Sequence, residues 1–208
     1  MPPRHIICCW FVVTIHVNPY KQHWNTAIHL LRYLAGSRNR GILFTSKSHV
    51  LDAIVKGYSD ADLGGCRDTR KSTSGSVFIS SGGAISWSSK KQSLTAQSTV
   101  EAEYIALSFA AREALWLRQL CNETQHTTTD SVSLGVDNQG CIDLTEQDQL
   151  TENSKHIDLK FHFLKDHVQA GNITLKYVPT DQMPADFFIK ALLKGKHNSN
   201  LRMIRMHD

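Results

Sequence analysis

The longest regular pattern in the chain is a helical one over residues 98–120, STVEAEYIALSFAAREALWLRQL. Apolar and small residues recur there at the three- and four-residue spacing of an α-helix, and Ser98 or Thr99 is placed to cap the first turn. Strand patterns come before this helix and also after it. The chain therefore predicts a mixed α/β fold with an antiparallel front half.

The strand patterns are short and rich in β-branched residues. SSGG, at residues 80–83, predicts a hairpin turn between two of them. The predicted strands are 41–46, 53–61, 74–80, 84–89, 131–137 and 172–179, and the predicted helices are 23–37, 98–120 and 154–169, with a short helix from Gln139 and a last helix that starts near Asp181–Pro184.

The composition is that of an ordinary globular protein, because 41% of the 208 residues are hydrophobic and 20% are charged. The net charge of +4 is compatible with a polyanionic partner but does not identify one. Five cysteines at irregular spacing predict reduced thiols in an intracellular protein. The apolar run 6–15 is too short to span a membrane and no small-residue cleavage site follows it, so we expect no membrane partner.

Four acidic residues fall where the predicted elements would bring them together. Asp60 lies near the end of the strand 53–61, and Asp137 ends the strand 131–137. Glu103 shares the inward stripe of the long helix, where a carboxylate costs several kcal/mol unless it is paired or binds a metal. Asp186 falls in the first turn of the predicted last helix.

Each acid also has an ordinary explanation. Asp60 and its neighbour Asp62 are common turn formers, and Glu103 and Asp186 are first-turn charges that the helix dipole favours. Together, however, the four describe a pocket at a single edge of the sheet. Four carboxylates would repel one another unless divalent cations lay among them, and an all-oxygen ligand set suits Mg²⁺ or Mn²⁺ rather than zinc.

Five segments carry motifs in a defined order: GYSDADLGGCRDTRKSTSGSVFISSGGAISWSSKKQ, STVEAEYIALSFAAREALWL, VDNQGCIDL, SKHIDLKFHFLKDHV and YVPTDQMPADFFIKAL. In that order they resemble the ribonuclease H domain of copia-type retrotransposon Pol polyproteins. The upstream piece NPYKQHWNTAIHLLRYLAGSRNRGILF resembles the connection segment between reverse transcriptase and ribonuclease H in the same family. The resemblance implies an α/β ribonuclease H-like fold, a five-stranded mixed sheet flanked by helices.

The resemblance also divides the chain into four parts. They are a non-family or decayed N-terminal segment at 1–17, a connection-like segment at 18–50, a ribonuclease H-like domain at 51–193 and a C-terminal tail at 194–208. No YxDD polymerase motif occurs in the sequence, so we expect no DNA synthesis.

The function that the resemblance implies is metal-dependent hydrolysis of the RNA strand of RNA–DNA hybrids. The family's metal-binding and catalytic acids correspond to Asp60, Glu103, Asp137 and Asp186, and they would hold two Mg²⁺ ions, with Mn²⁺ as the alternative. Asp60 would contact both ions, and Asp62 would add charge or begin a turn. The hybrid would be recognised by its backbone shape and 2′-hydroxyls, and the reverse transcriptase part of the polyprotein would be a partner.

Clustered basic residues are the candidates for phosphate contacts, although a solvated basic loop would look the same. The candidates are Arg67, Arg70, Lys71, Lys90 and Lys91. Trp87 is predicted to belong to the core rather than to stack on bases. Zinc binding by His156, His162 and His167 is not expected, because spacings of six and five residues do not place them on one helical face.

Three positions depart from the family's pattern: Leu63 replaces a tryptophan, and Val100 and Ile189 each replace a threonine. None of them is one of the four acids. Because of these departures, a second interpretation stays open, in which a decayed or co-opted module keeps the fold and binds nucleic acid without cleaving it.

Overall fold

The computed structural model describes residues 20–44, 54–66, 68–124, 130–146 and 158–207. The predicted 1–17 segment, Arg67 and His156 lie outside the described residues. The helices are α1 (Lys21–Gly36), α2 (Thr99–Glu123), α3 (Gln139–Glu146), α4 (Asp158–Gln169) and α5 (Lys194–Met203), and two 3₁₀ segments cover Thr180–Gln182 and Pro184–Phe188. The strands are β1 (Gly41–Ile42), β2 (Lys56–Asp62), β3 (Thr73–Ser80), β4 (Gly83–Lys91), β5 (Val132–Val136), β6 (Ile173–Tyr177) and β7 (Met206–His207).

Five of the strands form one mixed sheet in the order β4-β3-β2-β5-β6. β2, β3 and β4 pair antiparallel, whereas β5 pairs parallel with both β2 and β6. The predicted hairpin turn is confirmed, because Ser81 and Gly82 have φ values of 52° and 79° between the paired residues Ser80 and Gly83. Two central residues with positive φ give the turn that suits the right-handed twist of a hairpin.

The long helix α2 packs on one face of the sheet and forms the larger part of the core. Ser98 caps it by accepting a hydrogen bond from the backbone N–H of Glu101 at 3.1 Å. Its fully buried Tyr104 and Leu107 belong to the same cluster as Phe78 of β3 and Phe161 of α4. No helix among the described residues combines the length and hydropathy of a membrane span.

A second cluster covers the opposite face of the sheet. Val77 belongs to it although the next residue, Phe78, faces α2, because successive side chains of a strand point to opposite faces. Leu201 and Ile204, from α5 and the residue just after it, are buried in this cluster together with Met183 and other apolar side chains. The predicted domain boundary at residue 193 stays a prediction.

Three expectations from the sequence are wrong in detail. The strand predicted at 41–46 is limited to Gly41–Ile42 in the described residues, and it pairs with β7 outside the five-stranded sheet. Near Asp181–Pro184 the chain forms two short 3₁₀ segments, and the last α-helix begins only at Lys194. Trp87 is 55% exposed rather than part of the core. It lies on β4, an edge strand with a neighbour on one side only, so less of the molecule covers its side chain.

Gly75 of β3 controls how closely the 3₁₀ segment that carries Asp186 approaches the sheet. A Cβ atom at this position would lie 2.7 Å from Cγ2 of Ile189 and 2.9 Å from the carbonyl oxygen of Ala185. Since Gly75 is also the pairing partner of Asp60, the absence of a side chain there allows two of the four acids to come close to each other.

We predict that Gly75→Ala destabilises the protein by about 1–3 kcal/mol, because the added methyl group forces the 3₁₀ segment away from β3. Urea denaturation followed by circular dichroism measures this. Gly36→Ala is the control, since a Cβ atom at Gly36 meets nothing within 4 Å. A Gly75→Ala variant as stable as the parent would contradict the close approach.

Candidate metal centre

The register of the sheet places Asp60 beside Asp137. The parallel pairing of β2 with β5 ends at Ser59 and Val136, and each aspartate is the next residue on its strand. Asp60 is 3% exposed, and its Oδ2 atom has no hydrogen-bond partner among the described residues. Asp137 is half-buried and accepts a hydrogen bond from Oγ1 of Thr180 at 2.9 Å.

Glu103 reaches the same place from the first turns of α2. Its carboxylate accepts a hydrogen bond from the backbone N–H of Ala61, the residue after Asp60. The side chain is 7% exposed, and its Oε2 atom is buried without a hydrogen-bond partner within the described part of the chain. A buried, incompletely paired carboxylate is costly, which is why the sequence pattern singles this position out.

Glu101 is the instructive comparison, because it is buried to the same extent, at 8% exposure. Its Oε2 atom accepts a hydrogen bond of 2.7 Å from the backbone N–H of Gln97, just before the helix begins. Glu101 therefore has a capping role, and Glu103 is the glutamate directed to the strand ends.

Carboxylate oxygens of Asp60, Glu103 and Asp137 all lie within 4.8 Å of one another. Burial raises the pKa of Asp60, and the charges of Asp137 and Asp186 raise it further, while Lys190 opposes the rise. Burial likewise raises the pKa of Glu103, with added contributions from Asp60 and Asp137. The cluster thus resists carrying its full negative charge unless a cation compensates for it.

Asp186 lies apart from this group of three but close enough to influence it. Its side chain is fully buried and forms ion pairs with Lys190, four residues later, and with Nζ of Lys196 at 2.8 Å. Burial alone would lower the pKa of Lys190, but the hydrogen bond and charge of Asp186, together with Asp60 and Asp137, leave it raised. The assignment of Asp186 as a fourth metal ligand stays a prediction.

Asp62 has a structural role in the turn after β2. Its Oδ1 atom accepts a hydrogen bond from the backbone N–H of Thr73, its pairing partner on β3. A Cβ atom at Gly65 would collide with the same carboxylate. Of the two roles considered for Asp62, the contacts therefore favour the turn.

The four described basic candidates lie at the same end of the sheet as Asp60. Arg70 and Lys71 belong to the turn between β2 and β3, which is closed by a hydrogen bond of 2.8 Å from the backbone N–H of Arg70 to the carbonyl oxygen of Cys66. On β4, Lys90 and Lys91 lie opposite Ser74 and Thr73 of β3. Nζ of Lys91 donates to Sγ of Cys66 at 2.9 Å, which lowers the pKa of that thiol to about 7.

Two lysines of this centre were not among the residues singled out from the sequence. Lys190 follows Asp186 at i+4, a spacing that favours ion pairs on a helix, so a local pattern could have found it. Lys196 lies ten residues from Asp186 and on a separate helix. No local pattern connects it to the acids.

The donor set fits a hard divalent cation. The centre offers carboxylate oxygens alone, and two of them, Oδ2 of Asp60 and Oε2 of Glu103, are buried without hydrogen-bond partners among the described residues. Mg²⁺ and Mn²⁺ prefer such oxygen ligands, whereas zinc prefers nitrogen and sulfur. The identity of the ion stays a prediction.

Comparison with known proteins supports the fold and the family. No protein-family model matches the chain. The retrovirus-related Pol polyprotein from transposon TNT 1-94 of Nicotiana tabacum is 36% identical over 191 residues, which is 92% of this chain but 14% of the polyprotein. The secreted RxLR effector protein 161 of Plasmopara viticola is 45% identical over 100 residues, 48% of this chain and 68% of that protein.

Among solved structures, the foamy viral protease-reverse transcriptase in complex with an RNA/DNA hybrid has a similar fold, with a TM-score of 0.50 and 14% identity. The likeness covers 87% of this chain and 27% of that chain. The five-stranded mixed sheet with its flanking helices is the ribonuclease H fold. Because the identity to the TNT 1-94 polyprotein extends over nearly all of this chain, the chain belongs to the family of retrovirus-related Pol polyproteins from copia-type transposons.

Proposed function

We propose that this chain is a metal-dependent endonuclease that hydrolyses the RNA strand of RNA–DNA hybrids. The observation that carries the proposal is the group of three carboxylates within 4.8 Å of one another at the strand ends. Two of the three are buried, and each keeps one oxygen without a hydrogen-bond partner in the described part of the chain, an arrangement that costs stability and is therefore unusual without a function. Family membership supports the same reaction.

In this proposal Asp60, Glu103 and Asp137 would hold one divalent cation and Asp186 would help to hold a second, with Mg²⁺ preferred and Mn²⁺ accepted. Such cations would stabilise the negative charge that develops on the scissile phosphate during in-line attack by water. The hydroxyl of Thr180 keeps the Asp137 carboxylate oriented through its hydrogen bond. Burial of Asp60 and Glu103 strengthens every electrostatic interaction made there.

The basic residues are proposed to bind the backbone of the hybrid. Lys90 and Lys91 are two strands away from Asp60 and Asp62, or about 10 Å at the usual strand spacing. A cleft of about 360 Å³ opens beside them, and Ser74, Ser88 and Lys90 are part of its lining. Lysines and hydroxyl groups contact nucleic-acid phosphates without reading sequence, as the proposed substrate requires.

The reverse transcriptase part of a longer polyprotein is proposed as a partner. The chain spans 14% of the length of the TNT 1-94 polyprotein, so most of that relative lies outside the matched region. Helix α1, in the predicted connection-like segment, has no buried side chain among those described, and its Trp24, Leu31 and Leu34 are 66%, 59% and 54% exposed. An apolar surface of this kind is typical of contacts with another protein part.

The alternative function is a module that binds nucleic acid without cleaving it. The ion pairs of Asp186 with Lys190 and Lys196 favour this alternative, because they compensate the charge of that carboxylate without a metal ion. The two functions share the fold and the basic surface. They differ in whether the carboxylates bind metal and support hydrolysis.

We predict that the protein cleaves the RNA of a labelled RNA–DNA hybrid in Mg²⁺ and that Asp137→Asn slows this by more than about 100-fold. Loss of an outer partner of a metal ligand already costs about 10- to 100-fold in activity or affinity, so loss of a ligand costs more. Asp143→Asn is the matched control, since Asp143 is exposed on the neighbouring α3 and accepts a hydrogen bond from Gln139. A parent protein that binds the hybrid but leaves it intact would support the alternative.

The raised pKa values of Asp60 and Glu103 predict how stability depends on pH without metal. Both carboxyls hold protons more tightly in the folded protein than in the unfolded chain, where their pKa is about 4. The folded state therefore binds more protons, and stability falls as pH rises above about 4 through neutrality.

Glu103→Gln cannot ionise, so in EDTA at pH 8 it should be more stable than the parent by about 1–3 kcal/mol, with a smaller difference at pH 5. Mg²⁺ should stabilise the parent and not the variant. Urea denaturation at both pH values measures these effects. Glu101→Gln is the control and should show neither effect, and a Glu103→Gln variant that Mg²⁺ still stabilises would argue against the site.

Binding of the hybrid should weaken in the double variant Lys71→Ala/Lys90→Ala, equally for all base sequences. Each phosphate contact that is lost should also reduce the slope of log affinity against log salt concentration by about 0.9. Fluorescence anisotropy in Ca²⁺ at several salt concentrations measures both effects. Lys56→Ala is the control, because Lys56 is exposed at the opposite end of β2. An unchanged salt slope would exclude both lysines from the interface.

A further inference from the structure

The carboxylate of Asp186 is held by two ammonium groups that reach it from different parts of the fold. One oxygen contacts Lys190, which follows on the same stretch of chain, and the other contacts Nζ of Lys196 at 2.8 Å. Asp186 itself is 0% exposed, while the side chains of Lys190 and Lys196 are 49% and 36% exposed. The lysines can therefore move into solvent, but the carboxylate cannot.

Lys196 is presented by α5, a helix that packs on the segment carrying Asp186 and on α1. Leu201 of this helix is buried in the second core cluster, and the ring of His197 lies 4.8 Å from that of Phe187 and 6.3 Å from that of Tyr33. Immediately after α5, β7 pairs with β1. The C-terminal segment thus delivers a positive charge to the centre from a packed helix.

We propose that Lys196 is an intramolecular competitor for the cation at Asp186, so that the C-terminal helix sets the metal concentration that this part of the centre requires. This inference rests on the proposed function. An ammonium at 2.8 Å and a divalent cation compensate the same carboxylate charge and repel each other, so that binding of one weakens the contact of the other. Linkage then requires that a bound cation weaken the contact of Lys196 by the same factor by which Lys196 weakens cation binding.

Lys190 and Lys196 differ in which part of the fold positions them next to Asp186. Lys190 lies on the same local segment as Asp186 and moves with it. Lys196 belongs to a helix that packs with β7 and the connection-like segment. In this proposal, metal affinity consequently depends on how tightly the C-terminal segment packs against the rest of the domain. The four acids alone would not produce this dependence.

Isothermal titration calorimetry with Mg²⁺ and Mn²⁺ tests the inference on the full chain. Lys196→Met should tighten binding of a cation by roughly tenfold, the scale of one lost charge-assisted hydrogen bond. Lys196→Arg keeps the charge and should bind as the parent does. Lys194→Met, which removes an exposed lysine from the same helix, is the matched control.

A second measurement separates competition from a structural role. Adding Asp186→Asn should abolish the difference in metal affinity between Lys196→Met and the parent, because the shared carboxylate charge is then gone. Lys196→Gln replaces Lys196→Met if circular dichroism shows that the latter does not fold. Thermal unfolding in EDTA should show that Lys196→Met is less stable than the parent, with a larger gain in stability from Mg²⁺.

The outcomes distinguish this inference from the proposed function. If the parent binds Mg²⁺ and Lys196→Met binds it equally or more weakly, the competition is refuted while the metal centre stands. If neither binds Mg²⁺ or Mn²⁺, both the metal centre and the competition are refuted. A tenfold tightening that is absent in the Asp186→Asn background supports the competition whether or not the isolated chain cleaves RNA.

Discussion

The parallel ladder between β2 and β5 ends at Ser59 and Val136, and the next residue on each strand is an aspartate. Every other feature of the candidate centre depends on this register. Parallel neighbours lie about 4.8 Å apart, so the two carboxylates are close before any other element contributes. Helix α2 adds Glu103 because its inward stripe must pack on the same strands. A one-residue slip of either strand would move its aspartate to the opposite face of the sheet.

The electrostatic consequence of that register is that the carboxylates at the candidate centre are not balanced by the positive side chains near them. The four acids lie close to one another, whereas Lys190 and Lys196 form their ion pairs with Asp186, and Lys190 opposes the rise in the pKa of Asp60 only in part. Oδ2 of Asp60 and Oε2 of Glu103 are left without a hydrogen-bond partner among the described residues. This imbalance links the proposed metal requirement, the fall in stability with pH and the competition from the C-terminal helix.

Much of the fold was predictable because its signals are local. The periodicity of α2, the SSGG turn and the β-branched runs each act within a few residues, and the corresponding elements are confirmed except for the strand predicted at 41–46, which forms only at Gly41–Ile42. Trp87 was placed wrongly, since a strand pattern does not say whether the strand lies at an edge. The segment around Asp186 was expected to be an α-helix, but it forms 3₁₀ turns packed against β3 at Gly75.

The sequence by itself determined the candidate residues for the proposed chemistry: three acids placed at strand ends and on an inward helical stripe, and a fourth in a segment that follows a strand. It also indicated the family, through motifs that occur in a defined order along this chain. Only the tertiary structure decided that Glu101 caps a helix, that Asp62 serves a turn, and that Lys196 reaches Asp186. Those contacts join residues by packing and strand register, and neither the spacing nor the type of a residue encodes its distant neighbours.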